Sequence, residues 1–312
     1  MDKKNIEKYE MTILYSYWLA TSAYGLSLLK KKGYKFKAIS RAHGYDAFLD
    51  RGYLPFRREI YNYLDEIYFI SNNAKIQFEE TLSPHTPNKK AKLCTSYLGT
   101  ENENNISNPY KDNIDTFQIV SCSNIYPLKR IDIIVDALTM LDKIKVHWIH
   151  FGDGPLKNEI EDKASLQLRS ENITYDFRGR VSNEQIKEHY KTKQVDIFIN
   201  TSNYEGIPVS IMEAMSHGIP AIARDTGGIN EIIIDEFNGF LLPTEADQND
   251  LKEMLINFFN LSAEKKRILR LNSQKFWQEH FCSRVNYRNF LDSILTNNEV
   301  RVITDETNDT DK

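Results

Sequence analysis

The stretch NTSNYEGIPVSIMEAMSHGIPAIARDTGGINEII, Asn200 to Ile233, decides how the rest of the chain is read. Glu205 and Glu213 stand with seven residues between them, around a strand end, a tight turn and a helix. Gly206 and Pro208 shape the turn. Proline suits a first helical turn, where its missing N–H would have had no partner. Gly218 and Pro220 end the helix, and Gly227-Gly228 opens an expected next one. A helix N-terminus beside a carboxylate and open backbone N–H groups can hold an anion and a polyol together. Val209, Ile211, Met212, Ala214 and Met215 make this helix apolar on most sides, so Glu213 is expected to be partly buried. A buried carboxylate must be paired or well hydrogen-bonded. The open alternatives are a core arginine and a polyol ligand.

Outward from this stretch, short apolar runs alternate with helical patterns. Strands are expected at FQIVSCS (117–123), KVHWIHFG (145–152), ITYDF (173–177), DIFIN (196–200), AIA (221–223) and GFLL (239–242). Helices fall between them, with terminal helices at 247–259, 263–279 and 283–296. This alternation predicts a parallel α/β sheet, and continuous apolar runs suit strands buried on both faces. Before it come expected strands at 11–17, 37–40, 67–71 and 92–99 and helices at 18–32, 56–64 and 72–82. TENENNISNPYKDNIDT, 100–116, is polar and rich in Asn, the best linker in the sequence. The expected units are 1–106, 107–281, a helix at 282–297 that could pack back on the first unit, and a disordered tail at 298–312.

With 41% hydrophobic and 27% charged residues, the composition fits a soluble globular protein. The net charge of −4 hides an asymmetry: residues 1–100 hold 16 Lys plus Arg against 10 Asp plus Glu. Such a basic half could face an anionic membrane or a lipid-linked phosphate, although KKKGYKFK (30–37) also reads as a solvated loop. Cys94, Cys122 and Cys282 match neither a zinc pattern nor a disulfide framework and are read as reduced cytoplasmic thiols. Met11 to Leu29 lacks charge but is too rich in Ser, Thr and Tyr for a membrane span. It reads as a buried strand and a core helix.

In an open parallel sheet, ligands bind beyond the carboxyl ends of the strands. Four further segments stand at such ends. SCSNIYPLKR (121–130) carries Asn124, Lys129 and Arg130. A basic pair opening a helix opposes the helix dipole, which favours an anionic partner. FGDGP (151–155) supplies Gly152 and Gly154 in a strand-to-helix turn, FRGRV (177–181) supplies Arg180 and Val181, and RAHGYD (41–46) supplies His43 and the weaker candidate Asp46. LPFRR (54–58) could meet an acceptor phosphate or be plain surface. No Ser-His-Asp or Cys-His arrangement, metal pattern or basic-aromatic nucleic-acid surface is seen.

Taken together, the Glu205–Glu213 stretch, SCSNIYPLKR, FGDGP, FRGRV and RAHGYD resemble the family-4 retaining glycosyltransferases of the GT-B fold, in a bacterial surface-polysaccharide branch (capsule, exopolysaccharide or lipopolysaccharide). The resemblance covers most of residues 37–296. It implies two Rossmann-like domains with parallel sheets, the N-terminal one incomplete, because family members usually have about 100 more residues at the start. It implies transfer of a hexosyl group from a UDP- or GDP-sugar to a glycan or polyprenyl-diphosphate-linked acceptor, at or near the inner membrane face, without a metal or other cofactor and without nucleic acid. Lys129, Glu205 and His43 would line the reacting centre. Glu213 would hold the ribose. Arg130, Asn124, Gly152, Gly154, Arg180, Val181 and the backbone of Gly206, Ile207 and Val209 would complete the donor site. The family usually has arginine where Asn124 stands and glycine where Arg130 stands, so Arg130 could supply the missing charge. The alternatives are a non-catalytic nucleotide-sugar-binding remnant or partner subunit, and a GT-B-like epimerase or phosphorylase.

Overall fold

The computed structural model describes residues 12–47, 56–82, 91–102, 105–112 and 115–295. The expected tail at 298–312 and the start of LPFRR lie outside these residues. Among the described residues no helix is long and apolar enough to cross a membrane.

Two parallel sheets organise the chain. The first contains β1 (Ile13–Ser16), β2 (Lys37–Ala42), β3 (Glu66–Phe69) and β4 (Lys92–Thr95) in simple sequential order. α1 (Thr21–Lys31), α2 (Gly44–Ala47), α3 (Arg57–Tyr63) and α4 (Asn72–Leu82) connect them. The second contains β5 (Phe117–Cys122), β6 (Val146–Phe151), β7 (Ile173–Phe177), β8 (Ile197–Asn200), β9 (Ala221–Arg224) and β10 (Gly239–Leu242). Its order is β10-β9-β8-β5-β6-β7. The chain therefore leaves β5 in one direction, to β6 and β7, and then returns to build β8 to β10 on the other side. The reversal opens a crevice between β5 and β8, at the carboxyl ends of both.

Residue alternation explains the two-faced core. Ile119 packs on one side of the second sheet with Trp148, Ile197 and Ile222, while its neighbour Val120 packs on the other with Ile149, Phe198 and Ala221. Successive strand side chains point to opposite faces, so helices must cover both. α5 (Ile131–Thr139), α6 (Lys157–Gln167) and α9 (Gln248–Phe259) cover the first face, and α7 (Asn183–Thr192) and α8 (Val209–Ser216) the second. Each fully buried large aliphatic side chain contributes roughly 1.5–3 kcal/mol. Ser182 and Asp247 begin α7 and α9 with capping boxes, which stabilise a helix start by about 1 kcal/mol.

Two chain crossings join the halves side by side. After β4 the chain passes Gly99 and Thr100, and after α10 (Ala263–His280) it returns through Phe281 and Cys282. Trp277 Nε1 donates to Thr100 Oγ1 at 2.9 Å, and a Cβ on Gly99 would lie 2.5 Å from the Ser283 nitrogen. α11 (Ser283–Ile294) then lies on the first sheet. Phe290 meets Tyr68 at 4.9 Å between ring centroids and stacks under the Arg41 guanidinium at 4.4 Å.

Several sequence expectations need correction. β1 is an edge strand with Tyr15 42% exposed, not a buried one. The helix expected after Gly228 is a single 3-10 turn, Ile229–Glu231. The helix expected from Arg130 begins at Ile131, with Arg130 itself in the left-handed region at φ 49°. The Asn-rich stretch expected as a linker does run between the sheets, and two of its described residues anchor it. Asn102 and Asn108 are buried, and Asn108 donates to the Tyr190 and Lys193 carbonyls while accepting from Val195 N–H and Arg270. Asparagine suits this work because one side chain both donates and accepts. In the basic stretch 30–37, Lys30 pairs with Asp65 at 2.8 Å and Lys37 with Glu66 at 3.1 Å, at the amino ends of the strands.

Candidate functional site

The crevice between β5 and β8 is lined by the loops that follow those strands. The β5 loop makes a 3-10 turn at Pro127–Lys129 and the β8 loop carries Glu205. Their side chains meet: Lys129 Nζ lies 2.5 Å from Glu205 Oε1, with both side chains largely shielded. Asn200 Nδ2 also donates to Glu205 Oε1 at 3.3 Å. The loops are tied by backbone as well. Thr201 Oγ1 donates to the carbonyls of Lys129 and Arg130 at 3.0 and 2.8 Å, and Asn203 N–H to the Leu128 carbonyl at 2.9 Å. These bonds hold the cation and the carboxylate together at the carboxyl ends of β5 and β8.

Beyond Glu205, the N–H groups of Gly206, Ile207 and Val209 donate to no acceptor among the described residues. They precede or open α8, where unpaired amides and the helix dipole favour an anion. Gly227, at φ +58°, lets the chain pass so close that a Cβ there would fall 1.7 Å from the Glu205 carbonyl oxygen. Gly228 N–H donates to the Gly206 carbonyl at 2.9 Å. The double glycine therefore buttresses the Glu205–Gly206 turn.

Glu213, on α8, is 7% exposed. No core arginine pairs with it among the described residues; the Asn183 amide at the start of α7 donates to its Oε1. Burial raises its pKa, opposed by the Asn183 hydrogen bond and by Lys187. Burial, and then the Glu213 charge, push the Cys122 thiol up to about 12, so Glu213 lies beside the carboxyl end of β5. A buried carboxylate whose hydrogen-bond partner among the described residues is a neutral amide keeps lone pairs for hydroxyl donors.

The first half meets this site through RAHGYD. A Cβ on Gly206 would lie 3.6 Å from Gly44 Cα, so His43-Gly44 forms the opposing wall. His43 is buried and packs its ring against Tyr17 and Trp18 at 4.6 and 4.3 Å. Its Nε2 lies 3.0 Å from the Tyr17 carbonyl, and burial pulls its pKa below the usual histidine range. Asp46 accepts the N–H groups of Leu19 and His43 at 2.6 and 2.5 Å, so it shapes the wall.

Other expected residues are placed differently. The Arg130 guanidinium is taken by Asp132, with Nη2–Oδ2 at 2.9 Å. Asn124 is exposed, and its carbonyl accepts Tyr126 N–H. Gly152 and Gly154 make room for the β5 loop: Cβ atoms there would lie 1.8 Å from the Ser123 carbonyl oxygen and 2.5 Å from that of Ile125. Arg180 is exposed, and Val181 packs against the second core. Sequence reasoning did not single out Asn183, Asn200, Thr201 or Arg224, although Asn200 and Arg224 are polar residues ending apolar strands. Arg224 is buried, bonds the Asn203 side chain and the Ala246 carbonyl, and feels the charge of Arg130.

The chain is similar to known glycosyltransferases in sequence and in fold. An uncharacterized glycosyltransferase of Methanocaldococcus jannaschii is 26% identical over 278 residues, covering 88% of this chain and 72% of that protein. The Escherichia coli UDP-Gal:alpha-D-GlcNAc-diphosphoundecaprenol alpha-1,3-galactosyltransferase is 28% identical over 116 residues, 36% of this chain and 27% of its own length. Anabaena HepE, crystallised with UDP and glucose, superposes with a TM-score of 0.68 at 16% identity, covering 94% of this chain and 79% of that one. The shared fold is the two-domain GT-B architecture. Residues 102–276, more than half of the chain, match the family Glycosyl transferases group 1, and the chain belongs to that family.

Proposed function

We propose that the chain is a retaining glycosyltransferase that moves a hexosyl group from a UDP- or GDP-sugar to a glycan or polyprenyl-diphosphate-linked acceptor. The observation that carries this reading is the Lys129–Glu205 pair across the crevice between β5 and β8. A nucleotide diphosphate entering there would compete for the Lys129 ammonium, and the donor sugar hydroxyls would take up Glu205. The open amides of Gly206, Ile207 and Val209 would meet the phosphates or the sugar, and Glu213 the ribose hydroxyls.

None of the described residues is assigned the role of covalent nucleophile, and the resemblance to family-4 enzymes implies a front-face displacement. The bond from the anomeric carbon to the leaving phosphate oxygen breaks as the acceptor oxygen bonds the same face. The acceptor proton passes to the leaving diphosphate. Lys129 would stabilise the charge developing there, which is where a preset cation gains most. His43, neutral and held by Tyr17, would serve as a wall rather than a proton carrier. HepE was crystallised with UDP and glucose, and the E. coli relative is named for a diphosphoundecaprenol-linked acceptor, which supports the donor and acceptor classes. Two lysines of the basic stretch are neutralised by carboxylates, so any peripheral membrane contact would draw on the remaining charge.

Calorimetry with UDP and GDP, followed by a transfer assay with a UDP- and GDP-sugar panel and a GlcNAc-diphosphate lipid, tests the reading. Nucleotide binding, turnover and an NMR-verified retained anomer support it. Inversion, or full activity in both Lys129→Ala and Glu213→Ala, refutes it. Binding without turnover would instead favour a non-catalytic nucleotide-sugar-binding partner.

A further inference from the structure

One carboxylate ties the two halves together without belonging to the donor site. Glu231 ends the 3-10 turn that follows Gly227-Gly228. Its Oε2 accepts Asn72 N–H at 2.7 Å and the Tyr97 hydroxyl at 2.9 Å, and its Oε1 accepts Asn73 N–H at 2.7 Å. These partners are the opening amides of α4 and the chain just after β4, all in the first half. The next amide of α4, Ala74 N–H, is taken locally by Ser71 Oγ at 3.1 Å. The first helical amides have no partner within their own helix, and a carboxylate there is favoured by the helix dipole. Glu231 is therefore a helix cap supplied across the cleft. Burial, and then Glu231, raise the Tyr97 phenol pKa, as expected of a desolvated contact.

The same turn also touches the donor loop. Gly228, immediately before it, donates to the Gly206 carbonyl, and a Cβ on Gly228 would lie 3.1 Å from the Ser71 Cβ. Ser71, Gly228 and Gly206 are thus stacked in sequence, with Glu231 fastening the first of these neighbourhoods to the second half. We propose that Glu231 is a positioning residue, a clasp that holds the halves closed and registers the Glu205–Gly206 turn against the His43-Gly44 wall. The catalytic consequence rests on the proposed transfer reaction; the clasp itself does not. When the clasp opens, the donor keeps the contacts it makes within the second half. What is lost is the alignment of the wall and the exclusion of water.

The test uses the full chain and the variants E231A, E231Q and Y97F. Hydrogen exchange at the Asn72 and Asn73 amides reads the clasp directly, since opening exposes them to solvent. In E231A both amides are expected to exchange at least about tenfold faster, with small-angle scattering showing a larger radius of gyration. UDP affinity, measured by calorimetry, is expected to stay within about threefold of wild type, while kcat falls about tenfold or more at nearly unchanged donor KM. The share of donor lost to hydrolysis should rise, as expected when closure no longer excludes water. E231Q, which keeps one acceptor oxygen, is expected to fall between, and Y97F, which keeps both backbone bonds, to stay close to wild type. Unchanged exchange at both amides in E231A overturns the clasp. So does an opened clasp with undiminished kcat. A wild-type chain that transfers no sugar would sink the proposed function alone, because the exchange measurement would still decide for or against the clasp.

Discussion

Lys129 and Glu205 are 76 residues apart in sequence and 2.5 Å apart in space, joined across the point where the second sheet reverses its strand order. Each is the other's charged partner, and Asn200 is a further donor to Glu205. In the proposed transfer reaction this arrangement would set a cation against the leaving diphosphate and a carboxylate against the sugar.

Replacing Lys129 by methionine keeps the aliphatic stem and removes the charge. Steady-state kinetics with the best donor should show kcat reduced about 100- to 1000-fold, the usual effect of losing one preset stabiliser of a developing anion. UDP affinity should fall less. The Lys129→Met/Glu205→Gln double variant should lose less than the product of the two single losses, since the pair is coupled. Strict multiplication of the losses would show that the two side chains act independently.

In the proposed donor site, Glu213→Gln should weaken UDP binding by about 1.5–3 kcal/mol, roughly 10- to 150-fold, because charge-assisted bonds to ribose hydroxyls would become neutral ones. The pH dependence has a definite sign. Burial raises the Glu213 pKa, so on acidification this carboxylate takes up its proton earlier than an exposed glutamate. Wild-type affinity for UDP should therefore begin to fall above the ordinary carboxylate range, and the glutamine variant should lack that component. Calorimetry across a pH series distinguishes the two, and parallel pH profiles would remove Glu213 from the nucleotide site.

The strands and the positions of Lys129, Glu205 and His43 at strand ends could be read from apolar runs that stop at polar residues. Which strands are neighbours could not. Periodicity reports that Ile119 and Val120 face opposite sides, but not that β5 lies between β6 and β8. Contacts made across long separations were invisible for the same reason: Asn183 to Glu213, and Glu231 to the amides of α4. The missed 3-10 turn has a local cause. Ile229, Ile232 and Ile233 have helical spacing, but Asn238 donates to the Ile232 carbonyl and accepts Ile234 N–H, replacing the bonds a continuing helix would need.

Asp46 supplies a stability prediction. Burial raises its pKa from 3.8 to about 6, against the lowering effect of the His43 and Leu19 amides. Between those values the folded chain holds a proton that the unfolded chain has released. The Asp46 contribution is therefore fully present below about pH 4 and is lost as pH rises through about 6, a change on the order of 2–3 kcal/mol. Urea denaturation of wild type and Asp46→Asn at several pH values should show a difference that shrinks or reverses across this window as pH rises. At neutral pH the variant still loses one acceptor, leaving Leu19 or His43 N–H unpaired at a cost of about 1–3 kcal/mol. A difference independent of pH would refute the raised carboxyl.

Two glycine substitutions should move stability in opposite directions. Gly25 lies exposed inside α1, and a Cβ there meets nothing within 4 Å. Gly25→Ala should stabilise by roughly 0.5–1 kcal/mol, since glycine loses more backbone freedom in a helix. Gly152 has φ +150°, and its Cβ would fall 1.8 Å from the Ser123 carbonyl oxygen. His150 Nε2 lies 3.2 Å from that same carbonyl, so the β5 loop is held from two sides and has little room to yield. Gly152→Ala should therefore destabilise by several kcal/mol, of the size seen for overpacking combined with backbone strain. It should also weaken UDP binding in whatever fraction still folds, because Ser123 leads directly into the loop that carries Lys129. Thermal melts paired with UDP titration measure both effects. A Gly152→Ala variant with wild-type melting and wild-type UDP affinity would mean that the two loops do not pack as described.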